Sequence, residues 1–220
     1  MRKLLPAAFI VALLPFMTWI YAANGQDASP QPPTESPARE TITLTISLYS
    51  LVDDLDNPDP EYSSKRTEDD LREILTGIND IWSQADIVFE SQFIGALAVP
   101  PIVLVEISRG NYANFLNAIQ RDNIHLPDPG VFVGFYAKEI GGFNGITPYG
   151  IGSRIFFVDD EPTVFDRRVS SHELGHMLGL HHVLDDEDRL LYGGTNGMTL
   201  TEEEIIVARY VAQGVLDGVR

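Results

Sequence analysis

Residues 172–182 read His-Glu-Leu-Gly-His-Met-Leu-Gly-Leu-His-His, and they hold four of the five histidines in a chain of 220 residues. His172 and His176 are four apart, so a helix places both imidazoles on one face, one above the other. Gly179 can take positive φ, which ends such a helix and reverses the chain. That reversal can bring His182, or in principle its neighbour His181, back to the two helical rings. Three imidazoles around one point make a zinc site with a fourth position left for water, at Zn–N distances of about 2.0–2.1 Å. A fold that carries this segment must therefore hold one rigid helix, one glycine turn and one return loop in register.

Glu173 follows His172 directly and can lean over the open side of such a site. Its carboxylate can hold a water and take its proton, and zinc brings the pKa of such a water toward about 7. Five positions are fixed in type, namely His172, Glu173, His176, Gly179 and His182. A chance match in a chain of ordinary composition is on the order of one in 10⁵. That odds ratio sets aside a histidine cluster that merely caps a helix.

The remaining segments predict alternating strands and helices. Thr41 to Ser50 alternates Thr or Ser with Ile or Leu, a strand pattern. Thr67 with Asp70, and Thr201 with Glu204, form capping boxes that start helices. After Thr67, Leu71, Ile74, Leu75, Ile78 and Trp82 recur at helical spacing. Strands are expected at Ile87–Phe93, Val131–Tyr136 and Arg154–Val158, with a short edge strand at Gly145–Thr147. Asn111–Gln120 predicts a short helix, and Thr163–Leu178 the helix that carries the histidines. Residues 96–109 are apolar but contain Pro100 and Pro101, and no element is assigned there. Strands interleaved with helices point to an α/β or α+β layered fold.

The spelling HExxHxxGxxH resembles the zinc signature of the metzincin metallopeptidases, small matrixin-like and bacterial-type members in particular. The likeness is strict over residues 172–182 and looser over 53–210, where it rests on element order. It implies an α+β fold, with a twisted, mixed five-stranded sheet above the active-site helix and a small C-terminal subdomain below the cleft. It also implies a metalloendopeptidase that binds a protein or peptide substrate extended along the edge strand. One catalytic Zn2+ would sit on His172, His176 and His182, with Glu173 as general base. The family spacing selects His182 over His181, which then lies beside the site. A zinc-holding envelope scaffold without turnover is the alternative, and it has no use for Glu173. Leu190-Leu191-Tyr192-Gly193 is similar to the matrixin turn Leu-Met-Tyr-Pro, with Leu191 at the methionine position. Met198, the only methionine after His182, is the other candidate. Tyr192 is expected to pack as an aromatic.

Composition narrows the partners. The net charge of −17 excludes nucleic acid, which needs a basic face. The chain has no cysteine, so a disulfide, a thiolate ligand and an inhibitory cysteine prosegment are all excluded within it. Arg2 and Lys3 precede an uncharged stretch from Leu4 to Ala23, which reads as a signal peptide or as an N-terminal membrane anchor. Residues 24–40 are a Pro-rich linker and 41–220 the expected catalytic domain. Either reading of the N-terminus predicts export, to the periplasm, the cell envelope or the medium. The chain is expected to be a monomer. The acidic run Asp53, Asp54, Asp56, Asn57, Asp59 and Glu61 has oxygen ligands enough for Ca2+, although a solvated loop is the simpler expectation. Asp185 to Asp188 form a second acidic run, and His125 is expected in a loop.

Overall fold

The computed structural model describes residues 39–121, 124–128, 131–148 and 154–218. The expected signal peptide or anchor and nearly all of the expected linker lie outside the described residues. Residues 39–220 form one compact unit.

The elements run β1 (Ile42–Val52), α1 (Glu68–Trp82), a 3-10 turn (Ser83–Ala85), β2 (Ile87–Ala98), α2 (Pro101–Ser108), α3 (Tyr112–Gln120), β3 (Phe132–Ala137), β4 (Gly145–Ile146), β5 (Ile155–Asp159), α4 (Asp166–Met177) and α5 (Glu202–Leu216). They build an α+β fold around a five-stranded sheet of order β2-β1-β3-β5-β4. β1, β2, β3 and β5 pair in parallel, and β4 runs antiparallel to β5 along the far edge. The sheet is therefore mixed, as expected.

Both faces of the sheet are covered, and the two-residue period of the strands sorts the side chains between them. Ile42, Leu44, Ile46 and Leu48 of β1, Phe132 and Tyr136 of β3, and Phe156 and Val158 of β5 face α1, α4 and α5. Tyr49, Leu51, Val133, Phe135 and Phe157 face α2 and α3 on the other side. Full burial on both faces explains why β3, Phe-Val-Gly-Phe-Tyr-Ala, has no charged position, and its one polar group, the Tyr136 hydroxyl, pairs with the Ser170 hydroxyl at 2.9 Å. α5 sends Ile205, Ala208, Val211 and Ala212 into the same core as α1 and α4.

Two departures from the sequence reading have physical causes. The segment left unassigned contains α2, which begins at Pro101 with proline in the first turn, where its missing N–H costs nothing. β2 continues to Ala98 rather than stopping at Phe93, because a bulge opposite Ile46 and Ser47 resets its alternation.

The two capping boxes form as predicted. Thr67 accepts from the Asp70 N–H, and Thr201 from the Glu204 N–H, with each acid reaching back to its cap. Arg66, just before α1, ties that helix to the start of α4. Its Nη1 donates to Asp166 Oδ2 at 2.6 Å and its Nη2 to the Asp160 carbonyl at 2.6 Å. Asp160 is buried and accepts in turn from the Ser64 hydroxyl and the Lys65 N–H, each at 2.7 Å. Losing one partner of a buried charge network leaves the other uncompensated, at a cost of about 3 kcal/mol. Arg66→Met is expected to lower unfolding free energy by about that amount, read as a lower denaturant midpoint at unchanged slope.

Candidate metal centre

The C-terminal end of α4 sets the geometry of the site. Leu180 N–H donates to the Gly175 carbonyl at 2.9 Å and Gly179 N–H to the His176 carbonyl at 3.1 Å. This pair of bonds is the Schellman arrangement, which requires a left-handed residue between helix and exit. Gly179 supplies it, with φ of 85°. The chain then turns back, and His182 meets the two helical rings.

The imidazoles His172, His176 and His182 converge. His182 Nε2 lies 3.0 Å from His172 Nε2 and 3.2 Å from His176 Nε2. Tetrahedral zinc bonded at about 2.0–2.1 Å sets its nitrogen ligands about 3.3–3.4 Å apart, so the cluster is close to that spacing and slightly tighter. The other ring nitrogens are fixed by the backbone. His172 Nδ1 donates to the Leu190 carbonyl at 2.8 Å, and His176 Nδ1 to the Leu180 carbonyl at 3.0 Å. With their protons on Nδ1, both rings turn Nε2 lone pairs toward His182. One cation placed among the three Nε2 atoms can accept from all of them. Burial holds the imidazole of His172 down to about 3 and lowers that of His176 as well, so both are neutral ligands at pH 7. The donor set fits Zn2+.

No other group of three or more His, Asp or Glu side chains converges in this way among the described residues. His181 is exposed and stands outside the cluster, and His125 is exposed in the segment before β3. The expected calcium loop uses its carboxylates differently. Asp53 Oδ1 accepts from Asp59 N–H and the Ser63 hydroxyl, Asp54 Oδ1 from Asp56 and Asn57 N–H, and Asp59 Oδ1 from Glu61 N–H. These acids cap their own backbone and do not aim at a shared centre.

Glu173 is 5% exposed. Burial pushes its carboxyl up to about 7, against the opposing pulls of Thr147 and Arg168. The Thr147 hydroxyl is 2.9 Å from Glu173 Oε2, just beyond the end of β4. Gly145 of β4 passes so close that a Cβ there would sit 2.9 Å from Glu173 Oε1 and 2.5 Å from Val169 Cγ1. The sheet edge and the carboxylate are thus in direct contact. Leu191 is fully buried under α4, its Cδ2 3.1 Å from where a Gly175 Cβ would be. Met198 is only partly buried. Leu191 therefore occupies the turn beneath the histidines.

A cleft of about 390 Å³ runs between β4 and α4, lined by Phe143, Gly145, Thr147, Arg168, His172 and Glu173 among others. Two larger hollows, of about 460 and 510 Å³, contain no histidine, so chemistry and not size identifies the site. The sequence reading missed Thr147, Arg168 and the Leu190 carbonyl. Arg168 lies four residues before His172, which was a legible signal of a shared helix face. Thr147 and Leu190 reach the site only through tertiary structure.

No family model and no curated protein matches the chain. Solved structures do. A chain in the structure of a chaperone–substrate complex superimposes with a TM-score of 0.56 at 16% identity, over 80% of this chain and 35% of that one. This chain thus spans about a third of the length of that protein. Archaemetzincin from Methanopyrus kandleri superimposes with a TM-score of 0.51 at 11% identity, over 78% of this chain and 96% of that one. The likeness is one of fold: a mixed five-stranded sheet with its helices, in an α+β arrangement that archaemetzincin shares.

Two measurements probe this geometry. Gly179→Ala forces a side chain into the left-handed region and places its Cβ 3.0 Å from Val211 Cγ2. It is expected to lower stability by about 1–2 kcal/mol and to weaken zinc uptake in a competition titration with a chromogenic chelator. The second concerns acid. The unfolded chain protonates His172 near pH 6.5, whereas the folded chain does so only near 3. The stability this ring contributes is therefore present above pH 6.5 and is lost as pH falls toward 3. In chelator-treated protein, His172→Gln is expected to gain on the wild type by on the order of 3 kcal/mol between pH 7 and pH 4, read by denaturant titration.

Proposed function

We propose that this chain is a zinc-dependent endopeptidase that cleaves proteins or peptides outside the cytoplasm. The observation that carries the proposal is the convergence of three imidazoles on one point beside a buried carboxyl group. His172, His176 and His182 would hold the ion. Bound there, zinc supplies Lewis acidity that acidifies water and polarises a carbonyl.

The remaining work falls to the chain's own groups. Burial raises Glu173 to a value at which it both accepts and returns a proton near neutral pH, as a general base followed by a general acid requires. Thr147 holds one oxygen of that carboxylate, which leaves Oε1 as the proton-accepting atom. β4 pairs with β5 on one side only, so its outer edge can pair with an extended peptide in the manner of an added strand. That edge borders the cleft, and a peptide laid on it passes the three histidines. The basic start and uncharged stretch of residues 1–23 support export. The archaemetzincin likeness supports a peptidase fold, and activity follows from the site and not from that likeness.

The decisive test is incubation of the purified protein with casein and a peptide library, with and without chelator, alongside Glu173→Ala. Cleavage is expected to stop with chelator, to return with added zinc, and to fall by at least about 10³-fold in the variant. Cleavage indifferent to both would remove the mechanism. One tightly bound zinc with no cleavage of any substrate would favour the scaffold alternative.

A further inference from the structure

The face of α4 that carries His172 and His176 also carries Arg168, one turn earlier. Its side chain lines the same cleft although the residue is only 4% exposed. Nη2 donates to the Leu190 carbonyl at 2.8 Å and to the Tyr192 carbonyl, and Nε lies 3.4 Å from the Gly197 carbonyl. These contacts use the guanidinium's inner edge to hold the return loop. Nη1 has no hydrogen-bond partner among the described residues, and it is not one of the fully buried atoms that lack one. Nη1 therefore keeps some accessible surface, on a side chain that lines the cleft. No carboxylate forms an ion pair with Arg168 within 4.0 Å among the described residues.

A guanidinium cannot shed its charge, and this one has only carbonyl dipoles in contact and the more distant Glu173 carboxyl as counter-charge, so it is incompletely compensated. An anion with two lone-pair directions is the complement that Nη1 lacks. We infer that Arg168 selects a carboxylate on the substrate beside the bond that is cut. The carboxylate is either the side chain of an adjacent Asp or Glu or the peptide's own C-terminus. This inference rests on the peptidase reading of the same cleft.

The surface charge opposes it. Asp185, Asp186, Glu187 and Asp188 are all exposed, and the whole chain carries −17. Exposed charges are screened over about 8 Å at physiological salt, whereas a buried cation is screened far less. At contact range Arg168 therefore outweighs the acidic surface, which acts mainly on the rate of approach.

The test uses the full-length zinc-loaded protein and three peptides built on one library-derived sequence. One has an internal Glu beside the cut and an amidated C-terminus. One has Gln there and a free C-terminus just past the cut. The control has Gln and an amide. The expected result is a kcat/KM about tenfold or more higher for one of the first two than for the control. Arg168→Met should bring that ratio to about one, and Arg168→Lys should leave an intermediate value. A wild-type ratio within about twofold for both peptides overturns the inference, and it does so even if neither variant folds. Fluorescence anisotropy of the same peptides on Glu173→Ala separates the two readings. Tenfold tighter binding of a carboxylate peptide with no cleavage by the wild type would uphold Arg168 and end the endopeptidase proposal. Efficient cleavage without preference would do the reverse.

Discussion

The reversal at Gly179 is the constraint on which the rest of the site depends. A helix can stack two imidazoles unaided, but a third must arrive from outside it, and the available distance is one turn of chain. The paired bonds from Leu180 to Gly175 and from Gly179 to His176 fix that exit. They also aim the Leu180 carbonyl at His176 Nδ1, so the turn that returns His182 also sets the tautomer of His176. The Leu190 carbonyl does the same for His172 and is itself held by Arg168. Ligand orientation is thus a backbone property, defended by a buried turn and a buried cation.

That arrangement works against stability in the metal-free chain. Burial keeps His172 neutral and raises the Glu173 carboxyl to about 7, and Arg168 forms no ion pair within 4.0 Å among the described residues. Each is a group that water would serve better. With no disulfide to compensate, the two aromatic-rich cores on either side of the sheet carry the fold. A cation bound among the three rings would offset part of this cost, and ligation would then be coupled to folding.

Much of this was legible in the residues. The three histidines and Glu173 announce themselves by spacing, the capping boxes at Thr67 and Thr201 locate two helix starts, and β3 and β5 show as apolar runs. What escaped depends on partners distant in sequence. Residues 163–165 look helical, yet α4 starts at Asp166. The Thr163 N–H is taken by Asn144 Oδ1 and the Phe165 N–H by Asn196 Oδ1, each at 2.8 Å, and no local pattern encodes either side chain. α2 was hidden for another reason. Ile102, Val103, Leu104, Val105 and Ile107 are apolar on every face, so no period marks it, although Ile102 remains 63% exposed. The roles of Thr147 and Leu190 required the sheet to close first.

Gly145 has no room for a side chain because Val169 and Glu173 press against its α-carbon. The rim of the cleft and the Glu173 carboxyl are therefore packed as one mechanical part. Under the proposed peptidase reading, a peptide hung from that rim would be indexed by its main chain to the carboxylate, whatever its side chains are. Position along the polypeptide and proton transfer would then share a single ruler, and the chain could not retune one without shifting the other.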